Sequence, residues 1–327
     1  MQEKVLIQEI IKELNEQAEA FQNSKISKED LEKTKFSSLN IVSKTEIWPE
    51  WSQKIIKKLN SNPDILANFR KDNFFISDVP GEMSLIKKII YKIFLYLPHS
   101  IRYHPKVNLL EDLYNFVNEF KLKDILSKNM ISNVGNPNIF KKKGLRYSYR
   151  WIRHIWLFNL FSKYLSGKKD IKTIMDIGSS YGAFSYLVKK NYNNFNFILI
   201  DFPEALATAH FYLKKEFPDS RIASYKTIKD LSKIDKKFVD QYDFVLLPAF
   251  WVEKIESDVV DLTTNFASFN EMNRFWLNKY MNSKAFISSK YLFTMNRFSR
   301  PAIEKNEEPI DILDLKLNEY KKIHFNI

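Results

Sequence analysis

From the amino terminus to about residue 130, apolar side chains recur every three or four positions, in stretches spanning 3–22, 51–59, 85–97 and 109–127. Such spacing places them on one side of an α-helix, so this part is expected to be mostly helical. Pro63, Pro80, Pro98 and Pro105 punctuate the stretches. Asn133-Val-Gly-Asn-Pro137 is a turn-rich break. It marks the expected boundary between a mostly helical N-terminal domain over 1–134 and a second domain over 135–327.

Beyond the break the pattern changes. A helix with a strongly aromatic face is predicted over 147–165. Short β-rich runs then alternate with helices: strands over 171–177, 195–201, 242–247, 259–264 and 284–289, with helices over 183–191 and 204–217. That alternation predicts an α/β fold, a parallel sheet carrying helices on both faces. Ligands of such sheets sit beyond the carboxyl ends of the strands, where strand order reverses.

The chain has 327 residues, 45% of them hydrophobic, enough for a substantial core. It has no cysteine, which excludes disulfides and thiolate metal sites and fits a reducing compartment. The opening residues, Met1 to Ile10, mix acids into an amphipathic pattern and lack the uninterrupted apolar core of a secretory signal, so a cytoplasmic protein is expected. The greasiest stretch, 86–97, is shorter than the roughly 20 apolar residues that span a bilayer. Lys87, Lys88 and Lys92 fall near one face of it, which suits a core-packed amphipathic helix or shallow docking on an anionic membrane surface. The formal charge of +12 invites a nucleic-acid reading. The lysines are scattered, however, as at Lys57-Lys58, Lys141-Lys142-Lys143, Lys189-Lys190 and Lys321-Lys322, and no nucleic-acid partner is expected.

The strongest chemical signal is Asp176-Ile-Gly-Ser-Ser-Tyr-Gly182, on the turn between a strand and its helix. Gly178 lets backbone approach a ligand, Gly182 allows tight entry into the helix, and the loop amides can meet a polar or anionic group. Asp176 would orient this loop or accept from an amine. Asp201 closes the next strand, where an acid can accept from both ribose hydroxyls of an adenosine ligand or cap the helix that starts near Pro203. The dinucleotide pattern G-x-G-x-x-G is not met, because Ser180 and Ala183 stand at its second and third glycines, and no Walker lysine follows the turn.

Asp-x-Gly-x-x-x-Gly, with a ribose acid 25 positions after Asp176, resembles the spacing of class I S-adenosylmethionine-dependent methyltransferases. Ser180 replaces the familiar middle glycine of that class. Residues from about 135 onward further resemble a bacterial family of sugar O-methyltransferases found among surface-polysaccharide genes. Four segments carry this resemblance: Gly135-Asn-Pro137, Asp176 to Gly182, Ile200-Asp-Phe-Pro-Glu-Ala-Leu206, and Asp243-Phe-Val-Leu-Leu-Pro248 leading into Asp261-Leu-Thr-Thr-Asn-Phe-Ala-Ser-Phe-Asn-Glu-Met272. Asp201-Phe-Pro departs slightly from the family's Asp-Leu/Ile-Pro. The resemblance implies a Rossmann-like sheet preceded by helices, and S-adenosylmethionine as cofactor.

It also implies site residues. Gly178, Ser179, Ser180 and Gly182 would form the cofactor loop, with Asp176 beneath it and Asp201 and Phe202 at the ribose. Pro248, Ala249 and Phe250 would border the adenine or simply end a buried strand. Asn265 to Met272 would face the methyl donor and acceptor, with Ser268 and Glu271 as candidates. Ser268-x-x-Glu271 also has the spacing of a capping box ahead of Phe275-Trp276-Leu277. A sugar hydroxyl is a poor nucleophile, so a base is expected to help: His154, on the aromatic helix with Arg150 one turn earlier, or Glu271. Arg150 could meet the cofactor carboxylate. His210 reads as structural. No metal is expected, since no dense acidic cluster of suitable spacing is present.

The function read from all this is methyl transfer to a hydroxyl of a sugar or glycan acceptor. The alternatives are a NAD-dependent Rossmann enzyme and a non-catalytic glycan-binding protein that keeps the fold. Two roles stand open for the N-terminal helices, covering the acceptor pocket or forming a homodimer contact. Peripheral membrane contact is compatible with the basic charge.

Overall fold

The computed structural model describes residues 2–24, 50–71, 115–269, 272 and 274–296. The chain divides into two compact units, one made of 1–66 with 164–327 and the other of 67–163. The chain opens with helix α1 (Gln2–Gln22), followed among the described elements by α2 (Glu50–Ser61) and a 3-10 turn at Pro63–Asn68. The division differs from the expected cut at 134/135, because α1 and α2 share a unit with the sheet. The 85–97 stretch and the first residues of the 109–127 stretch lie outside the described residues.

The unit of residues 67–163 contains helix α3 (Lys123–Lys128), the two-stranded hairpin β1 (Phe140–Lys142) and β2 (Leu145–Tyr147), and helix α4 (Tyr149–Tyr164). Lys143 and Gly144 join the strands with φ of 49° and 78°, the left-handed pair that suits a two-residue hairpin loop. The hairpin corrects the prediction of a helix from 147: Tyr147 pairs with Phe140 on β1. Buried Ser148 then accepts from the Trp151 backbone N–H at 3.2 Å, a cap for the start of α4. Gly135, with φ of 79°, packs so closely on Phe69 that a Cβ there would come within 2.4 Å of the ring. Its carbonyl accepts from the Arg70 N–H at 2.9 Å. Arg70 is fully buried, and its guanidinium donates to the Ser132 and Val134 carbonyls and lies 5.8 Å from the centre of the Trp151 ring.

The other unit is built on a six-stranded sheet. Its elements in order are β3 (Thr173–Ile177), α5 (Ala183–Asn191), β4 (Asn196–Asp201), α6 (Pro203–Glu216), β5 (Ile222–Ala223), α7 (Tyr225–Ile228), α8 (Lys236–Val239) and β6 (Phe244–Pro248). A 3-10 turn at Ala249–Lys254, β7 (Leu262–Phe266), α9 (Arg274–Met281), α10 (Lys284–Ile287) and β8 (Tyr291–Met295) follow. The strand order is β5-β6-β4-β3-β7-β8 and every pairing is parallel. The chain lays β4, β6 and β5 on one side of β3, then returns to lay β7 and β8 on the other. Strand order thus reverses beside β3, where sheets of this kind receive ligands.

Helices on both faces explain why β3, β6 and β7 are buried along their whole length, β6 as a continuous apolar run and β3 and β7 with buried polar residues among the apolar ones. One face carries Met175, Ile177, Ile198, Ile200, Val245 and Leu247 into a core shared with Phe21, Phe250 and Trp276. The opposite face stacks Phe197 on Phe244 at 5.5 Å and sets Phe184 edge-on to Phe266 at 4.8 Å. Helix α1 joins this unit through its apolar stripe: Ile7, Ile10, Ile11, Leu14 and Phe21 are buried, and the helix lies along α6.

The strand expected over 284–289 is instead helix α10, which Ser283 caps by accepting from the Phe286 N–H at 3.3 Å. The sixth strand is β8, a few residues later, and it pairs with β7. A run as short as Ala285-Phe-Ile carries too little period to separate helix from strand. No described helix is long and apolar enough to cross a membrane.

Candidate functional site

The carboxyl ends of β3, β4 and β7 meet in one hydrogen-bonded cluster. Asp176, on β3, is buried, and its Oδ1 accepts from Thr264 Oγ1 at 2.8 Å across the β3–β7 ladder, in which the two residues are register partners. Burial pushes the Asp176 carboxyl up to about 7 against the pull of the Thr264 bond, and the nearby Asp201 charge adds to the rise. Asp176 therefore braces two strands beneath the loop.

The loop that follows is tied to the end of β4. The Gly178 and Ser179 N–H groups both donate to the Ile200 carbonyl, at 2.8 and 3.3 Å. The Ser180 N–H donates to Asp201 Oδ2 at 2.6 Å, and Asp201 Oδ1 accepts from the Phe202 N–H at 2.7 Å. Burial raises the Asp201 carboxyl to about 6, while these two N–H groups favour the ionised form. The helix-cap reading of Asp201 is not realised: the cap position of α6 is Phe202, which makes no side-chain cap bond, and Pro203 opens the helix. The acid holds the glycine turn instead.

Backbone angles explain the departure at Ser180. Gly178, Ser180 and Gly182 have φ of 74°, 54° and 78°, so the serine adopts the left-handed conformation that its glycine counterpart would take freely. Gly178 is required by protein rather than by open space: a Cβ would come 2.3 Å from Ser268 Oγ. At Gly182 a Cβ would meet Leu199 at 3.0 Å, the close helix–strand packing that the sequence suggested.

Asn265 organises the end of β7 and is fully buried. Its Nδ2 donates to the Ile177 carbonyl at 2.8 Å and also to Ser268 Oγ. Its Oδ1 accepts from Asn296 Nδ2 at 2.8 Å and from the Phe269 N–H at 3.2 Å. Both amide hydrogens and both acceptor positions are occupied, so Asn265 shapes the site from within. Ser268 passes its own hydrogen to the Ile177 carbonyl at 3.2 Å. Helix α9 begins at Arg274, and the capping box with Glu271 involves residues outside the described ones. Glu271 lies outside the described residues.

Pro248 is the register partner of Asp201, which sets Ala249 and Phe250 at the same edge of the sheet. All three are buried, and Phe250 packs 5.1 Å from Phe21 and 5.3 Å from Trp251. Arg150 and His154 belong to the unit of residues 67–163. His154 is buried there, and its imidazole is held well below the usual histidine range by burial and then by Arg153, Arg150 and Arg70. His210, on α6, lines a small cleft with Glu13 and Gln17 of α1 and is lowered to about 4 by burial and Lys214.

Two participants escaped the sequence reading. Thr264 and Asn296 carry no motif, and only strand register shows that they bond Asp176 and Asn265. Chemically, the edge offers an acidic acceptor and a polar loop. Each Asp201 oxygen takes one N–H and keeps acceptor capacity for a hydroxyl. Ser179 Oγ is buried with no hydrogen-bond partner among the described residues. This set fits a ribose and a polar tail.

No protein-family model matches the chain, and the comparison with curated proteins found no match. Among solved structures the chain is similar to the mitomycin 7-O-methyltransferase MmcR, with 13% identity over 47% of this chain and 42% of that one and a TM-score of 0.31. It is also similar to an O-methyltransferase family protein from Burkholderia thailandensis, with 11% identity over 45% of this chain and 40% of that one and a TM-score of 0.27. A third is coclaurine N-methyltransferase bound to N-methylheliamine and SAH, with 13% identity over 74% of this chain and 63% of that one and a TM-score of 0.32. The matched part spans less than half the length of the first two.

Proposed function

We propose that this chain is an S-adenosylmethionine-dependent O-methyltransferase whose acceptor is a sugar hydroxyl, on a precursor of a bacterial surface glycan. The observation that carries the cofactor reading is the 2.6 Å bond from the Ser180 N–H to Asp201, which joins the glycine turn and the ribose acid into one site. The cofactor would supply an electrophilic methyl group on its sulfonium, leaving as the neutral thioether while the acceptor hydroxyl gives up its proton. In the chain itself, Asp201 would accept from the ribose, and the loop of residues 178–182, including the Ser179 hydroxyl, would meet the polar tail. The sugar preference is supported by the sequence resemblance of residues 135–137, 176–182, 200–206, 243–248 and 261–272.

Arg150 is proposed for the cofactor carboxylate, and His154 or Glu271 for the base. A depressed histidine is neutral at pH 7 and has a lone pair available for a proton, which is compatible with that role. Arg150→Lys and His154→Gln variants test these parts separately, the first through cofactor affinity and the second through turnover at saturating cofactor.

Isothermal titration with S-adenosylhomocysteine and with NAD, followed by labelled methyl transfer to nucleotide-linked, lipid-linked and polymeric sugars, tests the whole reading. Binding of S-adenosylhomocysteine and label on a sugar are expected. Binding of NAD alone would overturn the cofactor assignment, and label confined to a non-sugar acceptor would overturn the substrate class.

A further inference from the structure

Lysine is spread along the chain, but the acids are not. Between Asp124 and Asp170 the sequence holds no Asp or Glu and ten Lys and Arg, against a formal charge of +12 for the whole chain. Six of these cations, Lys141, Lys142, Lys143, Arg146, Arg150 and Arg153, fall on the hairpin β1–β2 and the start of α4. Among the described residues of the unit of residues 67–163, the acids are Glu119 and Asp124. Neither Lys141 nor Arg146 pairs with an acid among the described residues.

The hairpin presents its cations in a fixed arrangement. Leu145 and Tyr147 are buried on one face. Lys141 and Arg146 are register partners on the other, Lys141 exposed and Arg146 half-buried. Side chains directly opposite on antiparallel strands stand about 4.5–5.5 Å apart at Cβ, and like charges placed there repel. The Arg146 guanidinium donates to Asn133 Oδ1, which fixes its orientation, and its Nε has no hydrogen-bond partner among the described residues. The tip is open: a Cβ on Gly144 would meet nothing within 4 Å. Lys143 beside it is exposed and holds a left-handed φ of 49°, at a position that two-residue hairpin loops usually give to Asn, Asp or Gly.

A lysine at that φ and a cation pair across the strands both act against the stability of the hairpin. An anion lying between the cations would offset both. A guanidinium beside an ammonium suits phosphate oxygens, the first as a forked donor and the second as a point charge. Cations within one Debye length, about 8 Å at physiological ionic strength, add their fields at such a ligand. We infer that Lys141, Lys143 and Arg146 form a phosphate-binding site, and that the acceptor sugar is held there through a phosphate or diphosphate ester. The acceptor's part in this rests on the methyltransferase reading above, whereas the phosphate site stands on the hairpin itself. A nucleoside-diphosphate sugar and a lipid-diphosphate sugar offer the same group to it.

Titration of the full chain with inorganic pyrophosphate at constant ionic strength tests the site. Lys141→Gln and Arg146→Gln are each expected to weaken binding about tenfold or more. Lys236→Gln, which removes a cation paired with Asp240 on α8, is expected to leave it unchanged. Should Arg146→Gln fail to fold, Lys141→Gln decides, since Lys141 is exposed and its loss relieves a repulsion. Methyl transfer to a nucleoside-diphosphate sugar and to a lipid-diphosphate sugar in vesicles separates the two sources. With whichever ester is used, KM is expected to rise about tenfold in Lys141→Gln at unchanged kcat. Equal affinity for pyrophosphate in all three variants would overturn the site. Better methylation of a phosphate-free glycoside than of either ester would overturn its assignment to the acceptor, as would tighter binding of a single-stranded RNA oligomer than of both esters. Failure to bind S-adenosylhomocysteine would overturn the methyltransferase reading alone, and the pyrophosphate titration would still decide the site.

Discussion

Ser180 holds a left-handed backbone with φ of 54° while its N–H donates to Asp201 Oδ2 at 2.6 Å. The conformation is costly for a residue with a Cβ, and the bond to the acid offsets part of that cost. The pair keeps the turn in shape although residue 180 is not a glycine.

Ser180→Gly is expected to keep S-adenosylhomocysteine binding and to change stability by no more than about 1 kcal/mol, in the stabilising direction. Relief of left-handed strain slightly exceeds the extra chain entropy of glycine in the unfolded state. Ser180→Val, β-branched at the same φ, is expected to cost about 2 kcal/mol or more and to weaken the ligand. Urea unfolding and calorimetric titration of both variants check this, and a stable, tight-binding valine variant would contradict it.

Asp201→Asn replaces a two-sided acceptor by a group that can accept on only one oxygen, with N–H donors facing both. Affinity for S-adenosylhomocysteine is expected to fall by about ten- to a hundredfold. The native carboxyl is raised to about 6, and its ionised form is the better acceptor. Native affinity should therefore climb as pH rises through 6 and level off above 7, whereas the asparagine variant should show no such step. Titrations between pH 5 and pH 8 distinguish the two profiles.

Asp176 contributes to the pH dependence of stability. Its folded-state carboxyl is raised from 3.8 to about 7, so the folded protein retains a proton that the unfolded chain releases. That contribution is full below about pH 4 and is lost as pH rises toward 7. Asp176→Asn keeps an acceptor for Thr264 without a charge to bury. It is expected to flatten the stability profile over this range and to be the more stable protein at pH 8. Denaturation midpoints measured from pH 4 to pH 8 give the slopes directly.

Asn265→Ala removes the side-chain bonds to the Ile177 carbonyl, the Phe269 N–H and the Asn296 amide, which keep only Ser268 Oγ, Asn296 Oδ1 and Thr294 Oγ1 in turn. A loss of about 1–3 kcal/mol is expected. Asn265→Asp should be at least as damaging, because a carboxylate would face the Ile177 carbonyl. Thermal unfolding of the two variants tests the ranking, and tolerance of the aspartate would show that the network is dispensable.

Much of the sheet was legible in the sequence because its signals are local. The helix over 183–191 and the strand ending at Asp201 appear where apolar runs and glycine turns placed them. The hairpin at 140–147 and the strand at 291–295 were not legible, since three to five residues carry too little periodicity to outweigh neighbouring helical patterns. Asp176 and Asp201 were marked as site residues by spacing. Their different roles, a brace between strands and a clasp on the loop, follow from which neighbour each oxygen meets.

The order of residues along the chain was enough to set the turn at 176–182, the acid at 201 and the alternation that builds a parallel sheet. These depend on conformational preferences and on periods of a few residues. Tertiary structure alone decided that Ser268 fills the space where Gly178 lacks a Cβ, that Asn265 and Asn296 share hydrogen bonds, and that α1 belongs with the sheet. Those relationships join residues far apart in the chain. They arise when buried polar groups must find partners and apolar faces must be covered, requirements that no local pattern records.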